Sequence, residues 1–137
     1  MQNPSDRETR LTQIRVISAL TIGLESVAVL GFGLWMLLDL FSGQAKSLPA
    51  ALTLIALFLA AGAWVGYLAF GVRRGARWAR SGAIFWQTCQ LFLASQSFTG
   101  RGASPLIGIA LILPSVLVLA LMFSKPVLAD SKRQLEE

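Results

Sequence analysis

Gly71-Val-Arg-Arg-Gly-Ala-Arg-Trp-Ala-Arg-Ser-Gly-Ala-Ile-Phe-Trp-Gln-Thr-Cys-Gln90 decides the reading of this chain, because four arginines stand there between two long apolar runs. Arg73, Arg74, Arg77 and Arg80 cannot enter hydrocarbon at tolerable cost, and loops rich in Lys and Arg are held on the cytoplasmic face. The helices on either side of the cluster are therefore expected to rise from that face. Trp78, an amphipathic ring in the middle of the cluster, suits the boundary between water and lipid.

The rest of the composition agrees with a membrane setting. Of 137 residues, 55% are hydrophobic and only 14% charged, with a mean hydropathy of +0.64, too apolar for a chain that must cover a soluble core with polar surface. The net charge of +5 would suggest nucleic acid in a soluble protein. Here the cations flank apolar spans, so anionic lipid headgroups meet them first, and no nucleic-acid partner is expected. With one cysteine, Cys89, and no histidine, neither a disulfide nor a metal centre is expected, and no cofactor is implied.

Working outward, the pattern predicts an all-α membrane protein, a bundle of four transmembrane helices with both termini cytoplasmic. The spans run over about 16–40, 48–72, 78–97 and 105–123, in a single domain, followed by a short charged tail over 124–137. Each span is long enough for most or all of ~30 Å of hydrocarbon at about 1.5 Å per residue. The first span is too long for a signal-peptide core, despite the faint cleavage-like Gly43-Gln-Ala45, and is read as uncleaved. Ser5-Asp-Arg-Glu8 has capping-box spacing and predicts a short helical turn on the membrane surface ahead of it. Gly75 suits a left-handed helix cap, Ser104 and Pro105 suit a helix start, and Pro126 is read as the stop of the fourth span. Arg7, Arg10, Arg15, the four cluster arginines, Lys125, Lys132 and Arg133 then lie inside, leaving Lys46 and Arg101 outside. That bias predicts a multi-pass plasma-membrane protein.

Glu25 is the one ionisable residue well inside a span, and such a residue is a candidate functional site with a partner to be found. It lies ten positions past Arg15, and Gln87 lies ten past Arg77, so both are about 15 Å above their arginines. Ser18, Thr21 and Glu25 share one face of the first span, and Gln87 and Gln90 share one face of the third, at spacings of three and four. The two stripes are expected to meet. A buried acid is expected there in its neutral form, donating to a glutamine amide. The simplest role for such a cluster is glue between helices, with a proton-coupled substrate site as the sharper alternative.

Pro114 falls near the same depth in the fourth span and is a candidate hinge, although prolines in membrane helices more often serve plain packing. Gly62 and Gly66 form a GxxxG on the second span, more often an intramolecular contact than a dimer seam. Arg73, Arg74, Arg77, Arg80 and Trp78 are the expected headgroup contacts. Trp86 and Cys89 read as surface packing against lipid or a neighbour.

The acidic residue in the first of four short spans, the Arg-Gly-Ala-Arg-Trp-Ala-Arg turn over 74–80, Trp86-Gln87 and the proline of the fourth span together resemble a group of small uncharacterised integral membrane proteins of actinobacteria. That resemblance implies location and topology. The four spans with a glutamate in the first are also similar to small multidrug resistance transporters, which would make Glu25 a proton-coupling site. The chain departs from them in length, in the residues around the glutamate and in its one-sided charge bias. With no histidine, metal site or extramembrane domain to supply a nucleophile and base, an enzyme is not expected. The expected function is that of a non-enzymatic accessory or scaffold acting through lipid, a membrane-protein partner or a second copy, with proton-coupled transport through Glu25 as the alternative.

Overall fold

In the computed structural model, which describes residues 3–43, 47–99 and 104–136, every regular element is helical. The helices are α1 (Pro4–Leu40), α2 (Leu48–Arg73), α3 (Arg77–Gln96), α4 (Pro105–Met122) and α5 (Lys125–Glu136). Lys46 and Arg101, the two cations assigned to the opposite face, lie outside the described residues.

Two boundaries differ from expectation. The surface turn and the first span are one unbroken helix of 37 residues, begun by Pro4 in its first turn, where the missing N–H costs nothing. The expected tail is instead α5, a 12-residue helix. Pro126, read as a stop, stands at the start of α5, a position proline favours as much as the end of the preceding helix.

Successive helices run antiparallel. Gly75 lies against Arg15 and Gly33 against Phe58, so α2 descends beside α1; Gly71 faces Ala79, and Gly108 faces Phe98, so α3 and α4 alternate in turn. α1 packs on α2, α2 on α3, α3 on α4, and α4 closes against α1. α1 and α3 are thus the diagonal pair. Gly75 makes the tightest reversal possible with φ +72°, a left-handed conformation that costs a residue with a Cβ about 1–2 kcal/mol.

Burial departs from that of a water-soluble bundle in what lies inside beside the apolar core and in what lies outside. Ser18, Glu25, Ser26, Gln87, Gln90 and Ser115 are buried, while Leu24 is 73% exposed and Leu106 78%. Large apolar side chains cover the outside along most of the helices, a surface that hydrocarbon tolerates and water does not. The apolar core, built on Ile22, Val65, Leu68, Val118 and Met122, lies between the level of Glu25, Gln87 and Gln90 and the arginines.

Three helices, α1, α2 and α4, are long and apolar enough to cross a membrane among the described residues; α3 is not one of them. The reason lies in how its residues divide. Gln87 and Gln90 lower its average hydropathy but point inward, while Phe85, Phe92 and Leu93 face out.

Candidate functional site: the buried polar cluster and the basic end

Glu25 is 8% exposed and reaches across the bundle diagonal to α3. The Trp86 indole Nε1 donates to its Oε2 at 3.0 Å, and the Gln87 Nε2 donates to Oε2 at 3.0 Å and to Oε1 at 3.4 Å. Two adjacent residues of α3 thus converge on one carboxyl. They do so because α3 turns its small residues, Ala79, Ala83 and Ala94, toward the interior, leaving room on that face for longer polar side chains between them. Both neighbours present N–H groups, and the carboxyl oxygens accept from them.

Gln90, one turn further along, accepts a hydrogen bond from the Ser115 hydroxyl of α4 at 2.8 Å. That hydroxyl also lies 2.8 Å from the Leu111 carbonyl one turn back, so a single proton is shared between two acceptors. α4 runs through Pro114 as one helix. Its neighbour Ser115 is the residue that enters the cluster, and Pro114 makes no polar contact there.

The remaining members of the predicted stripe divide. Ser18 is fully buried on the Glu25 face, and its Oγ, like Gln87 Oε1, has no partner among the described residues. Thr21 is only half-buried and donates to the Ile17 carbonyl of its own helix at 2.9 Å, so it does not join. Ser26, which the sequence reading passed over, is buried and donates to the Gly62 carbonyl at 2.7 Å. Gly62 and Gly66 both face α1: a Cβ on Gly62 would lie 2.6 Å from Leu30 Cγ, and one on Gly66 2.9 Å from Ser26 Oγ. The GxxxG is therefore an intrachain seam, closed by a side-chain hydrogen bond to the bare backbone it exposes.

No family model, curated protein or solved structure matches the chain. Its own geometry has to carry the reading.

At the arginine end, α5 folds back over the bundle. Arg15 Nη2 and Asp130 Oδ2 form an ion pair at 2.8 Å, each about one-third exposed. Arg80 Nη1 donates to Ser131 Oγ at 2.6 Å and its Nη2 to the Met122 carbonyl at 3.1 Å, while Arg77 Nη1 donates to the Gln134 carbonyl at 2.9 Å. Val127 of α5, with Leu11, Ile14, Val72 and Met122, lines a cavity of about 40 Å³ beneath it. Two of the four cluster arginines are thus engaged by α5. Arg73 is exposed, and Arg74 lies 4.1 Å over the Phe70 ring. Trp78 stacks on Tyr67 with ring centroids 4.7 Å apart. Cys89 is half-buried and free.

Two signals were available in the sequence for what was missed. A buried Trp N–H seeks an acceptor, and Trp86 sits one residue from the glutamine assigned to Glu25. Ser115 follows a proline at the depth already assigned to the cluster.

Proposed function

We propose that the chain is a four-span plasma-membrane protein with both termini cytoplasmic, acting as a non-enzymatic accessory or scaffold through contacts with lipid or another membrane protein. The apolar outer surface supports four crossings, with α3 carried across by its apolar outer face while its polar face is shielded by α1 and α4. The crowding of Arg15, Arg73, Arg74, Arg77 and Arg80 at one end of the bundle supports the orientation. Arg73, Arg74 and Trp78 remain the residues for headgroup contact.

One observation carries the choice of a scaffold over a transporter. The Glu25 carboxyl is occupied by two N–H donors from α3, and the two cavities described here lie at the basic end, away from it. A carboxyl so held works as a strut between diagonal helices. Glu25→Gln preserves acceptor and size but forbids proton exchange. Retention of the protein's cellular phenotype with normal membrane level supports the scaffold; its loss at normal level identifies proton-coupled transport instead. Reporters at both termini give the orientation, and either one found outside overturns it.

A further inference from the structure

A second cavity, of about 570 Å³, opens between the first two turns of α1 and the stretch of α5 from Lys125 to Arg133. Its walls carry Arg7 and Arg10 from α1 and Lys125 and Arg133 from α5, opposed by Glu8 and Asp130. Asp130 is already bound to Arg15, so Glu8 is the one acid left on the wall. The four cations are exposed, and none has a hydrogen-bond or ion-pair partner among the described residues. Both helices also begin at this crevice, with Pro4 and Lys125 in its lining, so two positive helix ends add to the same field.

This concentration of like charge is held in place rather than incidental. α5 is clamped to the bundle by Arg15, Arg77 and Arg80, and the clamp brings Lys125 and Arg133 opposite Arg7 and Arg10. Like charges facing one another across a gap repel unless an anion lies between them. Three guanidiniums and the Lys125 ammonium match the several oxygens of a phosphate, and the volume is ample for a phosphate with a substituent.

We propose that this crevice binds a phosphate-bearing anion, held by Arg7, Arg10, Lys125 and Arg133. The site goes beyond the strut role of Glu25 and does not depend on it. Two sources share the chemistry: the phosphomonoester headgroup of a lipid, and a soluble phosphate compound.

The test uses the full chain in nanodiscs of phosphatidylcholine. In one arm pyrophosphate is titrated by calorimetry; in the other, phosphatidic acid is added to the disc and the shift of the thermal unfolding midpoint is read. Binding in the first arm identifies a soluble ligand, and stabilisation in the second alone identifies a lipid headgroup. Arg7→Gln/Arg133→Gln is expected to weaken the response at least about tenfold, two charge-assisted contacts being lost. Lys132→Gln removes the exposed charge next to Arg133 but outside the crevice lining, and is expected to stay within about threefold. Circular dichroism of both variants checks that the helices persist. Weakening by Lys132→Gln equal to that of the double variant, or no response of the wild-type protein in either arm, overturns the proposal.

Discussion

Replacing Glu25 by Leu isolates the strut. The substitution keeps the volume roughly constant and removes the acceptor that Trp86 Nε1 and Gln87 Nε2 share at 3.0 Å. Interhelical hydrogen bonds in membrane proteins are worth about 0.6 kcal/mol on average and up to about 1.7. A buried donor left without a partner costs about 1–3 kcal/mol. Gln87 is fully buried and Trp86 only half-buried, so the first should bear most of the cost. Two donors therefore set an expected loss of about 2 kcal/mol, after allowing for the favourable burial of the leucine. Glu25→Gln should lose under about 0.5 kcal/mol, because its carbonyl can accept both donors. The new amide N–H then faces Gln87, whose unpartnered Oε1 can turn toward it. Reversible unfolding in mixed micelles, followed by far-UV circular dichroism, measures both. A double-mutant cycle between Glu25→Leu and Trp86→Phe should return a coupling of about 0.5–1.5 kcal/mol. Glu25→Leu as stable as the wild type, with no coupling, would refute the strut.

Gly62→Ala should destabilise by about 1–3 kcal/mol in the same assay, since the new Cβ meets Leu30 at 2.6 and 2.7 Å and its backbone N at 3.1 Å. Gly43→Ala gives a contrast: φ is +76° but nothing among the described residues lies within 4 Å of the new Cβ, so the left-handed conformation sets the cost, about 1–2 kcal/mol. Arg80→Ala removes both a hydroxyl and a carbonyl contact and should release α5, read as faster amide exchange over 125–136 with α1 to α4 unchanged. Arg15→Ala should shift global stability by under about 1 kcal/mol, because its ion pair with Asp130 is solvent-screened.

Much of this architecture can be read from the chain because apolar runs and charge have strong, local physical consequences. The approach of Glu25 to Gln87 followed from counting rise per residue from two arginines at the same end. What could not be read was the identity of the second donor. It depends on rotation about the axis of α3, which brings Trp86 and Gln87, adjacent in sequence, to one carboxyl. Helix α5 was hidden for a different reason. A proline marks both the end of one helix and the start of the next, and the residues that hold α5 are arginines some 50 to 115 positions away. Thr21 was misplaced because a threonine in a helix can satisfy itself on the preceding turn, leaving its position on the face without consequence. Ser26 and Ser115 were passed over because a short hydroxyl enters a cluster only where a neighbouring backbone or amide comes close, which is a property of packing.

The most direct measurement is the exchange rate and chemical shift of the Trp86 indole proton by nuclear magnetic resonance in a membrane mimetic, with Trp35, Trp64 and Trp78 as internal references. With Glu25 holding that N–H across the bundle diagonal, the Trp86 signal should be slow to exchange and should move on Glu25→Leu, while Trp35 and Trp64 stay in place. A Trp86 proton that exchanges as fast as that of exposed Trp35 and is indifferent to the substitution would contradict the account.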